Sequence, residues 1–140
     1  MNPESLDVQR MTYAVEAVFD APEGPSDDYR SVVAGAGMVL RRAGMLGFAA
    51  YFAAKGGAHR RVLDHVTAWL ARSPATAWLL GRAAGRNPVA PGALIPLLCK
   101  ELPPQALAAL QDESLEILAC LKRVADAARE ARDRDSTGRR

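Results

Sequence analysis

Apolar residues recur along the chain at the three- and four-residue spacing of helix faces, interrupted by glycine and proline. The first run predicts a helix from about Pro3 to Asp20, with a proline near its start and acids in its first turn. Its apolar stripe is Val8, Met11, Ala14, Val15 and Val18. The Ala21–Pro25 segment then breaks the pattern. Ser26 is placed to cap a second helix, with Asp27 and Asp28 at the positive end of its dipole. That helix presents Tyr29, Val32, Val33, Ala36, Leu40 and Ala43 on one face, and Gly44 marks its stop or a kink. Met45–Ala54 is apolar on every side, which predicts the most buried element.

A fourth helix, about Ala58 to Arg72, turns Val62, Leu63, Val66, Trp69 and Leu70 inward. Ser73 and Pro74 read as the cap and first turn of a fifth helix ending near Gly85. After a loop with Pro88, Pro91 and Gly92 comes a short helix around Leu94–Leu102, then a turn over Gln105–Leu110. Asp112 reads as the cap of a long last helix with Leu115, Leu118, Leu121, Val124, Ala125 and Ala128 inside. The chain therefore reads as all-α, one compact bundle of six or seven helices over residues 1–128, followed by a disordered basic tail over 129–140. Composition agrees: alanine fills 27 of 140 positions, and valine with isoleucine only twelve, a mix that favours helices over strands.

Charge changes the picture more than composition does. The net charge of +2 conceals −5 over residues 1–30 and +8 over residues 41–100, where Asp64 is the only acid among nine bases. Arg61, His65, Ala68 and Arg72 share one face of the fourth helix, with Arg60 beside them, and Trp78, Arg82 and Arg86 share one face of the fifth. Solvated helix faces usually mix signs, so this block points to a polyanion. Arg41, Arg42 and Lys55 lie at helix C-termini, where the dipole alone stabilises cations. For Trp78, core packing is favoured over stacking on a base.

Catalytic and metal chemistry find no foothold. His59 and His65 belong to no ligand-spaced cluster, and the sequence holds no phosphate loop, nucleophile elbow or dinucleotide fingerprint. Glu113 and Glu116 read as exposed residues near a helix start. No metal, cofactor or enzymatic activity is expected. Cys99 and Cys120 lack a CxxC pairing and read as buried thiols of a cytoplasmic protein. The uncharged stretch Ala43–Ala54 is too short to span a membrane, and the acidic, polar start is not a secretory signal. A helix-turn-helix can be drawn into the last helix, but Lys122 and Arg123 amid acids make a poor reading surface. Sequence-blind contact with a backbone fits better, and a small helix-turn-helix DNA-binding regulator is the alternative.

Three segments together resemble the small helical subunit of the Cmr-type (type III-B) CRISPR effector complex. They are Arg10 with Ala14 in the opening helix, Gly44–Lys55, and Glu113-Ser114-Leu115 followed by Cys120-Leu121-Lys122-Arg123-Val124-Ala125. Cys120, Val124 and Ser114 depart from the family's usual residues, reducing volume rather than changing chemistry. The resemblance covers roughly residues 5–128. It implies a subunit without nuclease activity, whose copies stack in a minor filament beside the backbone and large subunits, along the guide and target RNA. Lys55, Lys122 and Arg123 match family positions, whereas Arg41, Arg42, Arg60, Arg61, Arg72, Arg82 and Arg86 enter as RNA-contact candidates on charge alone. The acidic first helix and the basic middle suit head-to-tail stacking of copies.

Overall fold

The computed structural model describes residues 5–21, 23–84, 94–100 and 102–138. These form α1 (Leu6–Val18), α2 (Asp27–Lys55), α3 (Gly57–Arg72), α4 (Ala77–Ala84), α5 (Leu94–Leu98) and α6 (Pro104–Gly138), with no strand among them. The fold is all-α, as the periodicity predicts.

Local chemistry explains where the helices start and bend. The Ser5 and Ser26 hydroxyls accept hydrogen bonds from the backbone N–H of Val8 and Tyr29, satisfying donors that the first turns of α1 and α2 leave open. The predicted second and third helices run on as α2 with a kink at Gly44, whose backbone sits at φ 75°, ψ 176°. That region is almost closed to residues with a Cβ. The kink lets one 29-residue helix bury Tyr29, Val33, Ala36 and Leu40 before it and Met45, Phe48, Ala49 and Phe52 after it. Although α2 is long and apolar enough to cross a membrane by length and composition, it carries Arg41 and Arg42 midway and is the bundle's central packing element. Its second half is less buried than predicted, since Leu46 and Tyr51 remain exposed.

Helix α6 corrects two expectations. Gln105–Leu110 is not a turn separate from the last helix, and Asp112 does not cap it, although Pro103 and Pro104 do mark a break after the short helix. Pro104 stands at the first helical position, where its missing N–H costs nothing, and the helix runs unbroken through Asp112. At the far end, helix continues to Gly138 where a disordered tail was expected. Arg129 donates to Asp27 at 3.0 Å and pairs with Asp133 one turn on, giving this polar stretch the partners its composition lacks in apolar contact. The α2 and α6 axes are antiparallel: Asp27 meets Arg129, Arg30 meets Asp126, and Gly37 faces Leu115.

Helix α1 is rotated from its predicted face. Tyr13, Ala14, Ala17 and Val18 are buried, while Val8, Met11 and Val15 are exposed. The rotation follows polar partners on distant elements. Arg10, with 12% of its side chain exposed, donates through Nε and Nη2 to the two oxygens of Glu113 at 2.8 and 2.7 Å. The Tyr13 hydroxyl donates to the carbonyl of His65. Glu113 is itself 4% exposed, not the surface acid the sequence suggested, and also accepts from the Trp69 indole at 2.8 Å. Its carboxylate raises the Arg10 pKa further above the ordinary guanidinium value.

Substitutions at Gly44, Gly35 and Glu113 check these readings in urea unfolding. Gly44→Ala lowers stability by about 1–3 kcal/mol through backbone strain, whereas Gly35→Ala, where a Cβ meets open space, is neutral or stabilising by up to about 1 kcal/mol. Glu113→Ala leaves Arg10 and the Trp69 N–H buried without their acceptor and costs about 3–5 kcal/mol. Glu113→Gln, which keeps an acceptor for Trp69, costs less, and Arg10→Met added to Glu113→Gln recovers part of the loss.

Candidate nucleic-acid interface

The ten basic candidates divide by what surrounds them. Arg60 donates to Asp64 at 3.0 Å on the same helix. Arg61 pairs with Asp20 and lies 5.7 Å from the centre of the Tyr29 ring. Arg72 pairs with Glu16 at 3.5 Å and stacks 5.2 Å from the centre of the Tyr13 ring. The basic stripe of α3 is thus largely answered by acids of the α1 segment. The charge segregation read along the sequence folds back upon itself.

A second group is not answered. Arg41, Arg42 and Arg123 are exposed, with no acidic partner within ion-pair distance among the described residues. Lys55 is exposed beside the Tyr51 ring, at 5.6 Å from its centre. Lys122 shares Asp126 with Arg30, at 3.3 and 3.0 Å. Arg30 and Arg41 stand eleven residues apart, three helical turns to within about 20°, so they line one stripe of α2. Asp126 and Lys122 line the facing stripe of α6. The register set by Arg30–Asp126 puts Lys122 and Arg123 on the Arg41 side of that pair, with Arg41 about 12 Å further along the seam.

The structure therefore brings Arg41 and Lys122 to the α2–α6 seam, leaves Arg42 and Arg123 exposed beside it, one residue further round α2 and α6, and places Arg60, Arg61 and Arg72 apart from it. Arg30 was missed, although its eleven-residue spacing to Arg41 was visible in the sequence. The side chain of Arg82 and the whole of Arg86 lie outside the described residues. Trp78 is not in the core: it is 57% exposed, and Trp69 is the buried indole. Among the described residues, no group of three or more His, Cys, Asp or Glu is placed to hold a metal ion. Both cysteines are free; Cys120 is buried, and Cys99 is exposed rather than buried as expected.

Behind Arg61 lies a buried polar cluster. His65 Nε2 stands 3.3 Å from an Asp20 oxygen, and Nδ1 stands 2.7 Å from the Tyr29 hydroxyl. A carboxylate only accepts, so the arrangement assigns the proton to Nε2 and leaves Nδ1 to accept from Tyr29. Burial, the largest influence, lowers the His65 pKa despite Asp20. Burial also pushes Tyr13 up to about 12 and raises Tyr29. Both phenols stay protonated as hydrogen-bond donors at neutral pH.

A sequence-family model described as CRISPR-associated protein (Cas_Cmr5) matches residues 6–128. The chain belongs to this family. It is a CRISPR-associated subunit of the Cmr type. No curated protein and no solved structure shows a significant match to the chain. The matched span runs from the start of α1 to ten residues before the end of α6. Two of the segments that carry the family resemblance meet in space through Arg10 and Glu113, the buried ion pair. Ala14 is fully buried, and the Ser114 hydroxyl donates to the Leu110 carbonyl at 2.7 Å.

The His65 cluster gives a pH dependence with a definite sign. The folded pKa lies below the unfolded value of about 6.5, so the unfolded chain takes up the proton first as pH falls. Stability is fully present above about pH 6.5 and declines as pH drops through the folded pKa. Thermal melting followed from pH 7.5 down to pH 5 shows this fall in the wild type and a shallower one in His65→Gln.

Proposed function

We propose that this chain is a non-catalytic cytoplasmic subunit of a type III-B effector complex that stacks with copies of itself and contacts the guide or target RNA backbone through the α2–α6 seam. The observation that carries this reading is the split among the cations. Arg60, Arg61 and Arg72 are engaged by acids of the same chain, whereas Arg41, Arg42 and Arg123 stand exposed without an acidic partner among the described residues. Family membership supplies an RNA-guided assembly for those charges to face. Arginine suits the task, since its planar guanidinium donates two parallel hydrogen bonds to phosphate oxygens. No base-reading geometry is needed, so the contact is with the backbone and depends on salt rather than sequence.

RNA binding by the full chain tests this at several salt concentrations, with a labelled guide–target duplex and each single strand. Arg41→Glu with Arg42→Glu weakens binding and reduces the slope of log affinity against log salt by about 1–2, one for each lost phosphate contact. Arg61→Gln with Arg72→Gln leaves RNA affinity within about twofold and instead lowers stability modestly, as expected for exposed pairs. Wild-type affinity in the Arg41/Arg42 variant overturns the seam assignment. Strong preference for one DNA sequence points instead to the helix-turn-helix regulator.

A further inference from the structure

The outward face of α1 is apolar. Val8, Met11, Val15 and Phe19 fall at i, i+3, i+7 and i+11 and are between 36% and 49% exposed. Together they form a ridge about 16 Å long. Isolated exposed apolar side chains are ordinary, but a continuous helical stripe marks a contact surface. The ridge cannot rotate into its own core, because the opposite face of α1 is fixed by the Arg10–Glu113 pair and by Tyr13 on His65.

The same chain carries a surface of opposite shape. Between α4 and the start of α6 lies an open groove of about 520 Å3, lined by Trp78, Leu79, Leu102, Pro103, Ala106 and Ala109, with Gln105 as its polar lining group. Trp78, the most exposed large aromatic among the described residues, stands against it. Charge distinguishes ridge from groove. Residues 6–20 carry Asp7, Glu16 and Asp20 against Arg10, whereas residues 73–84 and 94–103 carry Arg82 and Lys100 against Glu101.

We propose that the α1 ridge of one copy seats in the α4–α6 groove of the next. The inference rests on the stacking part of the proposed function and names the two faces that would meet. It revises the expectation from the sequence: Glu16 and Asp20 already pair with Arg72 and Arg61 at home, so apolar contact supplies the attraction and charge supplies orientation. An amphipathic helix with anchors three and four residues apart laid into an apolar groove is a standard recognition mode. Ridge and groove are different surfaces, so the contact is heterologous and each addition leaves a free ridge at one end and a free groove at the other. A four-residue ridge buries less than a standard interface, below roughly 1,200 Å2, so association without the rest of the complex is weak and concentration-dependent.

Sedimentation velocity on the full chain over a concentration series tests the pairing with two surface variants. Met11→Glu with Val15→Glu removes the ridge and keeps the groove; Trp78→Glu blocks the groove and keeps the ridge. Circular dichroism and melting confirm that each is folded, and Val15→Ser with Trp78→Ser repeats the test without new charge. The wild type forms species larger than dimers, and each variant alone is weakened at least roughly tenfold. Mixed together, the two variants form a one-to-one dimer and nothing larger, because only one ridge and one groove survive. Wild-type assembly in both variants overturns this interface while leaving stacking in place. A wild type that never self-associates overturns both the interface and the stacking reading. Loss of RNA affinity in Trp78→Glu with unchanged assembly also overturns it and assigns the groove to RNA; the ridge variant retains Arg41 and Arg42 and binds RNA normally.

Discussion

One buried carboxylate determines how the helices sit. Glu113 accepts both donors of Arg10 from α1 and the indole of Trp69 from α3, so a single side chain of α6 fixes two neighbouring helices at once. A charge taken this far out of water is tolerated when it is paired and hydrogen-bonded, and three donors from two helices meet this carboxylate. The rotation of α1 follows from it, and so does the outward placement of Val8, Met11 and Val15. The apolar ridge is thus a consequence of where a charge was buried. The pair joins residues 103 apart in sequence, which makes it a long-range constraint on topology rather than a local helix device.

Much of the fold was legible before any coordinates, because its punctuation is chemical. Ser26 announces α2 and Gly44 the kink, and periodicity places most of the core. What failed has physical causes. The stripe through Val8, Met11 and Val15 satisfied the helix period, but two neighbouring stripes of α1 are apolar enough to serve. Only the partners of Arg10 and Tyr13 decide between them, and they lie on other helices. Gln105–Leu110 read as a separate turn because Asp112 is a favoured cap residue, whereas Pro104 at the first helical position had already started the helix. Trp69 and Trp78 both occupy helical positions next to leucines, so composition could not say which one Glu113 would hold.

The candidate site was legible in part for the same reason. A linear charge map counts residues but not the distances between them after folding. It found the basic block, in which Arg41 and Arg42 are exposed without an acidic partner among the described residues; Arg123 entered through the family resemblance instead. It could not show that Arg61 and Arg72 would be met by Asp20 and Glu16, because those pairs cross between α1 or its exit turn and α3. Arg30 was passed over because it sits in the acidic segment, though register places it on the Arg41 stripe. The useful quantity is therefore unpaired charge per face, which only the folded chain supplies.

Helix α6 has one further consequence, for motion. It touches α1 through Glu113, α3 through the same carboxylate, and α2 along a seam from Leu115 to Arg129. α1 has its main packing partner in α6, with Tyr13 and Glu16 adding contacts to α3. Opening α1 breaks the Arg10 bonds and leaves the Glu113 carboxylate buried with only the Trp69 indole as donor, so release of this helix also loosens the hold of α6 on α3. Opening of the first helix is thereby costlier than its one-sided packing alone would make it, and any partner of its outward face meets a helix already held in place.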